Sequence, residues 1–322
     1  MRKLLLLLFI VCADHLIAQV KPGTATVKKL KITILSTMLA QKGVGEWGFA
    51  ALIEADSVKI LFDAGGREKT VLENSKELNI DLSAIPELIL SHGHGDHTAG
   101  WLPLRTAMKA SNPNALSITH ACKGLFDTRI SASSQEFSNR KTDSLQYIKT
   151  GAVVQVHEVF TEIHPGIFLT GQVPRKYPEK NYGLGGNKMR KKDELGNTID
   201  DIVPEDMSLV IRTEKGLVLI SGCGHSGLIN TITHIQNNLQ QPLLAAIGGF
   251  HLLENNDEQI KWTADELKKT GLRYFMGAHC TGIEPVYQIR EWVQLKRGEC
   301  IVGSVGAVFE LGKGFSAGAL TK

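Results

Sequence analysis

At 322 residues with 43% hydrophobic side chains, the chain can bury a large core, either as one layered domain or as two ordinary ones. Its 36 Lys and Arg against 33 Asp and Glu leave a net charge of +3, too little to argue for nucleic acid or an anionic membrane as the partner. Any electrostatic role must come from local clusters, and the expected partner is a small molecule.

Met1-Arg2-Lys3 followed by the unbroken apolar run Leu4–Val11 is a charged start and a stretch too short to span a membrane. The pattern predicts a signal peptide over residues 1–19, a periplasmic or secreted mature protein, and no stable membrane insertion after cleavage. Bulky Val11 argues against a lipoprotein site at Cys12. The mature chain keeps Cys122, Cys223, Cys280 and Cys300 in a compartment that permits disulfides. Cys223 lies in Gly222-Cys223-Gly224-His225 and Cys280 follows His279, where a thiolate serves better as a ligand than a bridge. A Cys122–Cys300 bridge stays open.

From Leu30 onward, short apolar runs alternate with Gly and Asp. Lys31–Leu35, Phe49–Glu54 and Val58–Phe62 predict a β-meander. Glu68–Leu78 has helical spacing through Val71, Leu72 and Leu78, and Glu87–Leu90 is an apolar run that leads into Ser91-His92. Val153–Val159 and Ile167–Thr170 predict strands, and Ser208–Thr213 and Leu217–Ser221 flank a turn at Glu214-Lys215-Gly216. A helix over Leu228–Leu239, a strand over Leu243–Ile247, a helix over Asp257–Lys269 and a strand over Tyr274–Gly277 follow. A terminal pair near Ile301–Gly303 and Ala307–Leu311 closes the chain. Two strand-rich halves with helices outside them predict an α/β fold, a four-layer αββα sandwich, in one domain over residues 20–322. A doubly wound sheet would need helices between the first three strands. Arg105–Thr150 and Gln172–Asp201 read as insertions that could cover a site.

Ser91-His92-Gly93-His94-Gly95-Asp96-His97 places three imidazoles and a carboxylate directly after a strand. In an extended stretch, residues one apart point the same way, so His92 and His94 can grip one ion. A tight turn permitted by Gly93 and Gly95 would then aim Asp96 and His97 at a second. Solvated loop histidines are the plainer alternative, but imidazoles this dense have no packing rationale. His120, His157, His164 and His234 lack such neighbours and read as surface or satisfied core.

Phe62-Asp63-Ala64-Gly65, the loop His92–His97 and Gly277-Ala278-His279 together resemble the metallo-β-lactamase superfamily, over about Lys31 to Gly306. Ser221 to Gly227, Gly248-Gly249-Phe250-His251-Leu252 and His279-Cys280-Thr281-Gly282 resemble its dihydropterin phosphate synthase-like branch more closely. The resemblance implies a two-metal centre, zinc first with manganese or iron as alternatives, with Asp63 orienting a ligand and His279 completing the second site. Two departures stand out. Gly222-Cys223 occupies the place of the usual Gly-Asp pair, and Pro204-Glu205-Asp206-Met207 that of the usual Pro-Gly-His. His225 is the favoured substitute ligand and Cys223 the second. His251 is a candidate ligand, proton donor or substrate contact, or a merely hydrogen-bonded histidine.

Two ions side by side predict hydrolysis by a metal-activated hydroxide, with Asp96 orienting it and His225 or His251 protonating the leaving group. The branch's transferase chemistry is the alternative, although its substrates are cytoplasmic and the chain is expected to be exported. A non-catalytic metal or ligand binder is a further alternative. A two-iron redox enzyme would need a flavin domain for which the chain has no spare length. Pro174 to Lys192 holds seven positive charges in nineteen residues. These fit either a solvated loop or a lure for an anionic substrate, and Tyr177 and Tyr182 could stack on a flat ring.

Overall fold

Ile32 and Ile34 alternate with Leu35 along the strand Leu30–Ser36, and both faces of that strand are buried. One set packs into a core that also holds Leu209, Ile211, Val218, Ile220 and Ile247; the other packs with Val71, Trp101 and Tyr147 of the outer helices. The same period-two division recurs on the far side. Leu217, Leu219 and Ala246 turn away from the shared core and meet Leu228, Ile232 and Ile289 of a second helical layer. Two sheets buried on both faces give the four-layer αββα sandwich predicted from the sequence. The computed structural model describes residues 23–131, 135–137, 139–179, 189–193, 195–318 and 321. The signal peptide expected at 1–19, and Lys180, Tyr182 and Lys188 of the basic segment, lie outside the described residues.

The first sheet has eight strands, in the order Gly314–Ser316, Val308–Glu310, Leu30–Ser36, Ala50–Ala55, Val58–Phe62, Glu87–Ile89, Ile118–Cys122 and Val153–His157. The second has seven: Thr161–His164, Ile167–Leu169, Leu209–Thr213, Gly216–Ser221, Leu243–Gly248, Tyr274–Gly277 and Cys300–Val302. Each begins as an antiparallel meander and ends as a run of parallel pairs. Parallel neighbours need crossovers, and the helices supply them. Thr70–Glu77, Trp101–Lys109 and Asn139–Lys149 serve the first sheet; Leu228–Leu239, Asp257–Lys268 and Ile283–Val293 serve the second. Among the described residues no helix is long and apolar enough to cross a membrane.

Two segments differ from the sequence reading. Ile118–Cys122, inside the stretch Arg105–Thr150 read as an insertion, is an integral strand of the first sheet. Its polar residues hid it: Thr119 accepts from the Trp101 indole at 2.9 Å, and His120 faces Glu87. The remainder of that stretch and the second expected insertion meet in one small sheet, Thr198–Asp200, Arg190–Lys192, Arg129–Ile130 and Glu136–Phe137. Among the described residues the four cysteines are free and buried, with Cys122 in the central core and Cys300 under the outer helices, so no bridge joins them.

His120, His157 and His164 are satisfied internally, around Glu87 and one another, and His234 by the Thr170 carbonyl. The buried Glu87 carboxylate lies 3.1 Å from His120 Nε2 and 2.9 Å from His164 Nε2, and His120 Nδ1 lies 3.0 Å from His157 Nε2. Burial, then the neighbouring His120, pushes His157 down from 6.5 to about 4. Between those values the unfolded chain binds a proton that the folded chain does not, so stability falls as pH drops through this window. The melting temperature is expected to fall by about 2–4 °C between pH 6.5 and 4 on this account, and that component should vanish in His157→Asn. An identical slope in the variant, followed by circular dichroism, would refute the assignment.

Candidate metal centre

The chain ends its parallel strands on one edge of the sandwich, and there it places its imidazoles and thiols. Phe62 leads into Asp63, Ile89 into Ser91-His92, Ser221 into Cys223 and His225, Gly248 into His251, and Gly277 into His279. This is the edge at which open parallel sheets gather ligands. Asp63 is fully buried, with the positive φ of 57° that an aspartate tolerates. It accepts from Ser91 N and Ser91 Oγ, each at 2.8 Å, and from His97 Nδ1 at 2.7 Å. The proton on His97 is thereby fixed at Nδ1, and Nε2 faces the centre.

Two donor groups follow. His92 Nε2 lies 2.9 Å from His94 Nδ1 and 3.2 Å from His225 Nε2. His97 Nε2 lies 3.1 Å from Cys223 Sγ and 3.3 Å from His279 Nε2, which is itself 3.3 Å from Asp96 Oδ2. Ligand atoms about 2.0–2.3 Å from a tetrahedral ion stand roughly 3.3–3.7 Å apart, close to these separations. The trios His92, His94, His225 and Asp96, His97, His279 each keep their donor atoms within 4.8 Å, as do His92, His97 and Cys223, which connect them. His94 Nε2 and His279 Nδ1 are buried without a hydrogen-bond partner. Soft and imidazole donors facing one another at these distances fit divalent transition-metal ions.

Every metal-ligand and catalytic candidate named from the sequence therefore lies at one place, His251 included: its ring centroid is 4.6 Å from that of His225, and it shares a 4.8 Å donor group with His225 and Cys223, whereas Tyr177 packs on Trp262 away from the site. The expected glycine turn is different. Neither Gly93 nor Gly95 has a positive φ, and the reversal is made by the short helix Gly95–Thr98. Gly93 is required for close approach, because a Cβ there would sit 2.7 Å from Arg129 Nη1.

The sequence reading missed several participants. Arg129 is buried beneath the metal loop, where its guanidinium pairs with Asp201 at 2.9 Å and with Glu205, which also accepts from Gly93 N at 3.4 Å. The acidic pair in Pro204-Glu205-Asp206 was its signal: Asp206, fully enclosed, accepts from Ser226 N at 2.9 Å beside His225. Cys280, which the sequence already placed beside His279, has its Sγ 3.3 Å from Cys223 Sγ. Much of the basic segment is engaged internally. Arg175 donates to the His225 and Ile202 carbonyls, Lys191 pairs with Asp127 at 2.7 Å, and Lys192 with Glu136 at 3.2 Å. A cavity of about 340 Å³ opens over the centre, with Trp47 and Met189 on its walls beside Asp96, His225, His251 and His279.

Comparison with known proteins agrees with this geometry. The profile of the metallo-β-lactamase superfamily matches residues 48–172. A 7,8-dihydropterin-6-methyl-4-(β-D-ribofuranosyl)-aminobenzene-5'-phosphate synthase from Methanocaldococcus jannaschii is 32% identical over 249 residues, 74% of this chain and 81% of that protein. The chain belongs to the metallo-β-lactamase superfamily, in its dihydropterin phosphate synthase-like branch. An uncharacterized protein of the same organism is 29% identical, covering 81% of this chain and 94% of its own length. Among solved structures, Tm1679, described as a metal-dependent hydrolase of the β-lactamase superfamily, aligns with a TM-score of 0.69 at 25% identity, over 87% of this chain and 98% of its own. The metallo-β-lactamase fold protein YhfI from Bacillus subtilis aligns at 0.55 and 13% identity, over 88% of this chain and 100% of its own, a likeness of fold alone.

The expectation of hydrolysis is corrected by the synthase relative. Membership of the superfamily makes the protein an enzyme with a metal-binding site, but this fold carries synthases as well as hydrolases, so two adjacent ions do not by themselves specify attack by water.

Burial and neighbouring imidazoles lower His92, and burial takes His94 down to about 4, so both stand ready as neutral ligands. Burial alone would lower His97 too, but Asp63 and Asp96 override it and lift it to about 9. Below that value the metal-free site carries a proton on His97 that an ion must displace, so metal binding weakens as pH falls. Titration calorimetry at pH 7.5 in buffers of different ionisation enthalpy should show release of at least about one proton per chain. Uptake of metal without proton release would contradict this charge state.

Proposed function

We propose that the protein is a metal-dependent transferase of the synthase type, holding two zinc ions and joining a pterin-like ring to an aromatic amine that carries a phosphorylated sugar. The relationship to the Methanocaldococcus jannaschii synthase carries the reading. The donor chemistry supports zinc, because a set of imidazoles and one or two thiols suits it better than magnesium or manganese. In this proposal His92, His94 and His225 hold one ion, Asp96, His97 and His279 hold the other, and Cys223 stands between them.

Ions bound there supply Lewis acidity to substrate oxygens. The chain's own groups do the rest. Asp63 keeps the His97 proton on Nδ1, and Ser91 links that carboxylate to His92 Nδ1 at 2.9 Å, so both imidazoles are held in register. In the coupling, the amine nitrogen forms a bond to the methylene carbon on the pterin, that carbon's bond to its leaving group breaks, and the amine gives up a proton. His251, on the cavity wall beside His225, is the acceptor for that proton. The signal sequence expected at 1–19 is proposed to send the enzyme to the periplasm or outside the cell. There it would use whichever small, anionic ring compounds reach that compartment.

Zinc-loaded protein is to be incubated with a 7,8-dihydropterin activated at its 6-methyl group and with 4-(β-D-ribofuranosyl)aminobenzene 5'-phosphate, and the coupled product sought by mass spectrometry. Turnover is expected from the wild type and none from the His92→Ala/Asp96→Ala double variant. His225→Ala should lose about one of two ions per chain, because it removes one of three protein ligands. A fully loaded protein that yields no coupled product from this pair would sink the proposal.

A further inference from the structure

We infer that Trp47 is the specificity-determining residue of this site, a fixed indole platform on which a flat ring of the substrate stacks at the mouth of the metal centre. The identity of that ring rests on the transferase reading, whereas the platform itself rests on the loop that carries it. Trp47 is 41% exposed, lines the 340 Å³ cavity, and holds its ring centroid 4.6 Å from that of His279 at an interplanar angle of 57°. A single exposed apolar side chain is ordinary on any surface. The rigidity of its surroundings is not.

Residue 46 is a glutamate only 5% exposed, whose carboxylate accepts from Ser36 Oγ at 2.6 Å and Gly66 N at 3.0 Å, while its own amide donates to Thr37 O at 3.0 Å. On the other side, Gly48 passes so close to its neighbours that a Cβ would sit 2.4 Å from Gly66 N and 2.8 Å from Asp96 O. Phe49 is fully buried, and its amide donates to Asp96 O at 3.2 Å. Earlier in the loop, Val44 is held through both backbone groups by the Asn74 amide, at 2.7 and 2.9 Å. The backbone on both sides of Trp47 is thus tied to the core and to the metal loop itself, while its indole is left facing the cavity.

An aromatic ring held in this way loses little freedom when a ligand covers it, which is where stacking affinity comes from. The cavity volume lies near the lower end for small-molecule sites, enough for one ring system with the rest of an elongated substrate extending outward. Met189, which also lines the cavity, supplies a second, adaptable apolar surface, and the polar side chains of the lining are those of the metal centre. Shape and stacking therefore select for a planar ring here, while charge selects at the ions.

The test is titration calorimetry on zinc-loaded wild type, Trp47→Phe and Trp47→Ala, with 6-hydroxymethylpterin and 4-aminobenzoate as ring probes and inorganic phosphate as a probe without a ring. Zinc per chain and melting temperature are recorded for each, so that loss of metal or fold is separated from loss of the platform. Trp47→Ala is expected to weaken at least one ring probe by about tenfold or more, and Trp47→Phe by less than about threefold, with phosphate affinity unchanged in both. Ring binding that is equal in wild type and Trp47→Ala, or absent from the wild type, would overturn the inference. Ring binding that depends on Trp47 in a protein that makes no coupled product would uphold the platform and reject the transferase. Coupling at full rate by Trp47→Ala would do the reverse.

Discussion

The buried carboxylate of Asp63 is the constraint on which the metal centre depends. It ends one strand of the first sheet, accepts the backbone and side chain of Ser91 at the end of the next, and fixes the ring of His97 one turn later. Removing one partner from a buried charged network of this kind costs about 3–5 kcal/mol, because the group left behind is neither solvated nor paired. The arrangement therefore tolerates little drift: two strand ends and a helical turn are tied to one pair of oxygens. His92 gains its orientation from the same source, through Ser91 Oγ.

From that anchor the second sheet completes the centre from the opposite side. Cys223, His225, His251 and His279 all follow parallel strands whose register aligns Ser221 with Gly248 and Gly248 with Gly277. A shift of one residue in either pairing would turn buried side chains such as Ile220 and Ile247 away from the shared core. Packing of the core and assembly of the site are thus the same requirement, stated once in the spacing of apolar residues and once in the spacing of ligands.

The fold and the principal ligands were legible because they rest on local patterns. Short alternating runs announced most strands, Leu228–Leu239 and Tyr274–Gly277 had the limits that the structure shows, and the dense imidazole loop could be read without any partner. What escaped notice depends on contacts between distant residues. Thr119 and His120 disguised a central strand because their polarity is satisfied by Trp101 and Glu87, which no local pattern pairs with them. Arg129 and Glu205 are 76 residues apart, and their meeting under Gly93 is a product of topology. The lysines of the basic segment looked available to a ligand, yet Lys191 and Lys192 spend their charge on Asp127 and Glu136. Trp47 carried no pattern at all; its meaning lies in the locked residues on either side.

The error over hydrolysis has the same root. Metal-ligand spacing reports where ions sit, whereas the reaction depends on what else can enter and where a proton can go. A cysteine in the position where the superfamily usually has an acidic ligand changes that balance: Cys223 offers a soft sulfur, 3.3 Å from that of Cys280, in place of a carboxylate. The small sheet built from two separate segments brings Met189 to one wall, and the pinned loop brings Trp47 to another. Apolar walls beside the donor groups favour an organic ring over free water in that space. Under the proposed reaction, an amine of the substrate would take the place in such a cavity that water holds in a hydrolase.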